Sequence, residues 1–298
     1  MLTRPALLAA TLIAAAPGTP LPRAPQCSLP PAGFTFGSRV DRLPVAPDSD
    51  RIVAAIGEDS PMHADFGSGL YQGSRIGIPF DVVSRHTRRS SVRFQYADES
   101  DRVRYPIPRG VHIEGGGDRH ALLVDRDSCR LYELFALRRS GGRWTAGSGA
   151  VWNLRHPRVR PAGWTSADAA GLPILPLLAR WDEARTGRIR HAPRITVPRT
   201  RDAYVFPARH RAGDGNDPSL PRMGERLRLK ASVKISGFPR QARVILRALR
   251  DYGGIVADNG AAWFVSGAPD RHWDNDQLHT LGRLTGRDFQ VVDASSLR

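Results

Sequence analysis

ALLVDRDSCRLYELF, residues 121–135, holds two short runs rich in branched and aromatic residues, ALLVD and RLYELF, parted by a polar segment of Asp, Arg and Ser. Short runs of this kind bounded by turn formers predict strands rather than helices. The same pattern continues upstream in IPFDVV (78–83) and SVRFQY (91–96), and downstream around Gly147 and Gly149 in residues 143–154. Residues 189–197 add another strand, and 226–234 alternate apolar and polar side chains, the period of a strand with one buried face. The expected body is mainly β, a single-domain β-sandwich or barrel over residues 48–298 with a few peripheral helices.

Helical periodicity is confined to late segments. Pro239 to Tyr252 puts Val244, Ile245, Ala248 and Leu249 on one face, and Asn275 to Leu284 is a second candidate. Gly254 to Ser266 between and beyond them predicts a hairpin, with Asp258-Asn259-Gly260 supplying turn residues that tolerate positive φ. Asp258 is accordingly read as a turn former rather than an acid catalyst.

The chain start has the marks of a secretory signal peptide: Arg4, then an uncharged run from Ala6 to Ala16 ending in small residues. Cleavage is expected after Ala16 or nearer Ala24, leaving a Pro-rich N-terminal linker over residues 25–47. A secreted or periplasmic protein follows, and no segment approaches the roughly 20 apolar residues of a membrane span. Cys27 and Cys129 could pair in such a compartment, and their spacing carries no metal signature.

The formal net charge is +15, yet Lys230 and Lys234 are the only lysines and the arginines are spread along the chain. No stripe of basic residues interleaved with aromatics appears, so nucleic acid is not an expected partner, whereas an anionic polymer is compatible. No cofactor motif is present. The FGSGLYQG loop lacks the lysine of a phosphate-binding loop, and G-x-S-x-G, H-E-x-x-H and C-x-x-C are all missing.

GWTSADAAGLPILPLLARWDE (163–183) joins a polar turn to an apolar run, Ile174 to Trp181, that reads as a helix or a buried strand. Asp168 is either a general acid at the start of rigid scaffold or the partner of Thr165 in a helix-start cap. His63-Ala64-Asp65 and Asp118-Arg119-His120 each turn an imidazole and a carboxylate toward one side of an extended backbone. Arg190 suits a carboxylate or sulfate group, and His191 and His210 lie near strand ends. Asp214 and Asp217 form a solvated turn with some Ca²⁺-binding character. Trp164 and Phe66 are candidate contacts for sugar rings, whose C–H faces suit flat side chains.

The blocks HADFG, YPIP, DRH, GWTSADAAGLPI, IRHA, PARH and ADNG resemble a family of exported bacterial proteins over roughly residues 50–298. The resemblance implies one shared fold and no reaction. Three classes of function follow from the residues. The first is a polysaccharide-cleaving enzyme, a glycoside hydrolase or lyase, with Asp65, Asp168, His120 and His191 catalytic. Arg190, His210, Trp164 and Phe66 would bind its polysaccharide or oligosaccharide. The second is a metal-dependent hydrolase using His63, Asp65, Asp118, His120, His191 and His210, and the third a noncatalytic glycan-binding domain. On the first, Asp65, His120, Asp168, His191 and His210 line one pocket.

Overall fold

A computed structural model describes residues 18–31, 33–213 and 215–297. Its strands are β1 (Thr19–Leu21), β2 (Ala24–Leu29), β3 (His63–Asp65), β4 (Leu70–Tyr71), β5 (Ser74–Arg75), β6 (Phe80–Val83), β7 (Val92–Phe94), β8 (Ala121–Asp125) and β9 (Arg130–Leu134). They continue with β10 (Arg138–Ser140), β11 (Arg143–Ala146), β12 (Gly149–Asn153), β13 (Arg194–Val197), β14 (Arg226–Leu229), β15 (Gly254–Asn259), β16 (Phe264–Ser266) and β17 (Phe289–Val292). The helices are α1 (Ser49–Gly57), α2 (Trp181–Ala184), α3 (Arg240–Asp251) and α4 (Asn275–His279).

The fold is sheet-rich with few helices, as the strand pattern implies. The strands divide among several sheets, which one sandwich or barrel did not anticipate. The two largest have the orders β12-β9-β8-β6 and β17-β14-β15-β13-β16-β3. In the first, β8 pairs antiparallel with β9 in the register Leu123↔Tyr132. Every residue of β8 is buried, which is why ALLVD shows a continuous apolar run and no alternation.

The six-stranded sheet is mixed. β15 runs parallel to β13, and β16 antiparallel to it on the other side. Gly254 to Ser266 is therefore not a hairpin: β13 inserts between its two strands and takes the hydrogen bonds that a hairpin would make. Arg194 to Val197 wins this place because Ile195 and Val197 are buried against the core. α3 packs its buried Ala242, Ile245 and Leu249 near β14, as the periodicity predicts.

Local chemistry explains the other departures. Ile174 to Trp181 is neither a long helix nor a strand. Pro173 and Pro176 withhold backbone donors, and the run forms a 3₁₀ turn, Leu175–Leu177, before α2. Residues 25–47, expected as a linker, place Cys27, Leu29, Phe34, Phe36 and Val40 in the buried interior. Helix α1, with Ile52, Val53 and Ile56 buried, lies just beyond a segment whose proline density masked it.

Cys27 and Cys129 form a disulfide with their Cα atoms 5.4 Å apart, tying β2 to the turn between β8 and β9. Most of the leader expected over 1–24, residues 1–17, lies outside the described residues, as does Asp214; Thr19–Leu21 pairs with β2. Among the described residues no helix is long and apolar enough to cross a membrane.

Candidate functional site

Arg194 is the first residue of β13, and a charged side chain there has to be matched because it is only 4 % exposed. Its Nε and Nη2 donate to the two carboxylate oxygens of Asp168 at 3.2 and 3.0 Å, a bidentate fork. Nη2 also donates to Asp258 Oδ2 at 2.8 Å, and Nη1 to Ser266 Oγ at 2.8 Å. Burial opposes charge on Arg194, but Asp168 and Asp258 outweigh it and raise its pKa further.

The sheet sets up this convergence. The ladder of β13 with β16 puts Arg194 beside Ser266, and the ladder of β16 with β3 puts Ser266 beside Asp65. On the other flank, Ile195 pairs with Val256 but Thr196 with Asp258, so Ala257 is an extra residue. This bulge turns Asp258 to the face that Arg194 occupies; in regular alternation it would point the opposite way. The bulge is anchored from outside, since the Ala257 carbonyl accepts the N–H of Ala170 at 3.0 Å.

Asp168 is positioned by the turn around it rather than by a helix cap. Ser166 Oγ accepts the Asp168 N–H at 2.9 Å and donates to the Leu172 carbonyl at 2.5 Å. Gly171 closes the turn at φ +69°, where a Cβ would stand 2.5 Å from the Trp164 carbonyl oxygen. Both readings of Asp168 are thereby corrected: no helix starts here, and its fully buried carboxylate serves Arg194 with both oxygens.

A cavity of about 340 Å³ opens over this floor. Asp168, Asp258 and Asn259 line it together with Ser148 and Phe135, and Tyr96, Glu99, Asp118 and His210 complete the wall. Asp258 keeps 24 % of its side chain exposed. Burial, with Asp168 nearby and against the pull of Arg194, pushes its carboxyl up to about 6. Asp118 is exposed. His210 Nδ1 donates to the Ala169 carbonyl at 2.8 Å, leaving Nε2 3.6 Å from Glu99 Oε2.

His120 lies behind the wall. Its Nδ1 is 2.5 Å from Glu114 Oε2 and its Nε2 2.9 Å from the carbonyl of Ala167, a residue of the cavity lining. Burial works against charge on this ring, but the hydrogen bond and charge of Glu114 prevail and raise its pKa. Glu114 is lowered in turn: burial alone would raise it, and the bond to His120 overcomes that. Both ring nitrogens face acceptors, an arrangement that favours the doubly protonated ring and leaves neither nitrogen free toward the cavity.

Asp65 is drawn into the same electrostatic field. Partial burial raises its pKa, reinforced by Glu114 and opposed by His63 and Arg194. It is not among the residues lining the cavity.

The remaining candidates lie elsewhere. His191 is fully buried between Glu183 Oε2 at 3.1 Å and the Ala192 carbonyl at 3.0 Å, so it cannot act in the cavity. Arg190 is half-buried away from the cavity lining, near enough to Tyr252 to offset slightly the rise that burial gives that hydroxyl's pKa. Phe66 is core, edge-on to Trp273 with ring centroids 4.9 Å apart. Trp164 is half-buried under the guanidinium of Arg160, 5.3 Å from its ring centre. His63 packs tilted against Phe264 and stacks with His279. Among the described residues no three His, Cys, Asp or Glu side chains are arranged to hold a metal ion, so the six residues of the metal reading do not converge.

Arg194, Glu114 and Ser266 are members that sequence reasoning passed over, and Asp258, read there as a hairpin turn former, instead lies within β15 with its carboxylate on Arg194. A charged residue inside the strand pattern RITV was the available signal for Arg194. Comparison with protein-family models, with curated proteins and with solved structures finds no match to this chain.

Proposed function

We propose that the cavity is an acid–base site of an exported enzyme that cleaves a polysaccharide, with Asp258 as proton donor and Asp118 as its base or nucleophile. The observation that carries this reading is the unequal pair of environments in one cavity. Asp258 is pinned by Arg194 and titrates near 6, whereas Asp118 is solvated at the wall. Carboxylates held in unlike environments can divide acid and base work between them. Tyr96 and Phe135 offer flat apolar surface to a sugar ring, and Asn259, Ser148 and His210 offer polar contacts to its hydroxyls. Asp168 and Arg194 position the donor. The Cys27–Cys129 bridge is in keeping with an oxidising, extracytoplasmic compartment.

The test is a screen of the purified protein on neutral and acidic polysaccharides, followed by Asp258→Asn and Asp118→Asn on whatever is cleaved. Each variant is expected to lose at least about a hundredfold in rate while keeping its circular dichroism spectrum. The donor must carry its proton, so activity should fall as pH rises through about 6. Full activity of Asp258→Asn, or a flat rate from pH 5 to 8, would remove Asp258 from the chemistry. Polysaccharide bound but never cleaved would favour a glycan-binding domain.

A further inference from the structure

Seven arginines and no acidic residue line a cleft of about 870 Å³ on and around the sheet with strand order β10-β11-β7. The register places Arg139 beside Trp144 and Trp144 beside Val92, so these three form one row of the floor. Arg139 lies over the Trp144 ring at 5.4 Å. Arg88, Arg93, Arg104, Arg109 and Arg143 surround the row, all exposed. The seventh, Arg89, is committed to the fold through Asp125 at 3.0 Å and the Tyr132 hydroxyl at 2.9 Å.

No described carboxylate pairs with Arg88, Arg93, Arg109, Arg139 or Arg143. So many like charges in one groove repel one another and focus a positive field, a cost that a bound polyanion removes. We propose that this groove binds an acidic polysaccharide, a chain bearing carboxylate or sulfate groups.

The chemistry favours this occupant over nucleic acid. Guanidinium forks match planar carboxylate and sulfate oxygens two at a time. Single-stranded nucleic acid needs successive free aromatic faces for its bases, and the one aromatic residue here carries an arginine on its ring. No helix lines the groove to enter a duplex.

The groove and the cavity have lining residues close together along the chain. Arg93 lines the first and Tyr96 the second, and three residues of extended chain span at most about 10 Å. On the acid–base reading, a polymer held by the arginines extends toward the cavity. Binding in the groove does not rest on the acid–base reading, and the experiment measures binding alone.

The experiment measures binding of polygalacturonate, dextran sulfate, neutral dextran and single-stranded DNA to the full chain at low and high salt. Replacing Arg93, Arg109, Arg139 and Arg143 by Gln, together and singly, should weaken the acidic polysaccharides by at least about thirtyfold for the quadruple variant. Gln at Arg155, Arg158, Arg185 and Arg271, four exposed arginines outside the groove, removes the same charge and should change binding less than about threefold. An equal loss in the control variant would reduce the effect to net charge and overturn the proposal. DNA binding as tightly as the best acidic polysaccharide, or neutral dextran doing so, would overturn it as well. Graded losses in the single variants carry the test if the quadruple variant fails to fold.

Discussion

Glu133 sits in the middle of β9 with no exposed surface, in a sheet where a carboxylate is costly to bury. It is retained because the 3₁₀ turn after Pro173 presents free backbone donors. Its oxygens accept the N–H groups of Ile174 and Leu175, each at 2.9 Å, and the indole N–H of Trp152 at 3.0 Å. Burial still dominates and pushes the carboxyl up to about 7 from its ordinary 4.5. The folded state therefore holds a proton that the unfolded state has released between these values. The stabilisation is complete below about 4.5 and is lost as pH rises through 7, by about 3 kcal/mol. Denaturant unfolding of wild type and Glu133→Gln from pH 4.5 to 8 should show the wild type losing this much relative to the variant. A pH-independent difference between the two proteins would refute the assignment to Glu133.

At the scale of the element, the turn from Trp164 to Leu172 does what a helix cap was expected to do: it holds Asp168 still. Its geometry depends on Gly171, which combines a positive φ with a close approach to the Trp164 carbonyl. Gly171→Ala should cost about 2 to 3 kcal/mol. Gly163→Ala, also at positive φ (+82°) but with nothing within 4 Å of the new methyl, should cost about 1. Thermal or denaturant unfolding of the two variants checks the order, and equal losses would mean that φ alone matters. The bulge at Ala257 is the second decisive element. It is invisible in the spacing of GIVADNG, because the extra residue exists only relative to the register of β13.

For the whole molecule, the Cys27–Cys129 bridge joins the N-terminal hairpin to the four-stranded sheet across a sequence separation of 102 residues. Closing so long a loop removes about 4.7 kcal/mol of unfolded-state freedom in the chain-entropy model. Cys27→Ser/Cys129→Ser should lose about 4 to 5 kcal/mol in denaturant unfolding, and reductant should bring wild type to the same midpoint. A loss under about 1 kcal/mol would show that the buried Leu21, Leu29, Phe34 and Phe36 hold this segment without the tether.

Strand-forming runs such as ALLVD and RLYELF, and the amphipathic α3, are written locally, because β-branched residues and a 3.6-residue period act within a few positions of one another. So are the turn chemistry of GWTSADAAG and the presence of two cysteines able to pair. Local pattern also brought Asp168 and His210 to notice as members of one pocket and Asp118 as a member of a metal-ligand set, and all three line the cavity. Which strands are neighbours is a different kind of information. β13 enters between β15 and β16 because that placement buries Ile195 and Val197, a choice made by packing across some sixty residues of chain. From that choice follow the bulge that turns Asp258 inward, the meeting of Arg194 with Asp168 and Ser266, and the exclusion of His191 and Arg190 from the cavity. The arginines, evenly spread in sequence, become a groove only when β7, β10 and β11 lie side by side, since charge repulsion and field strength depend on distance through space and not along the chain.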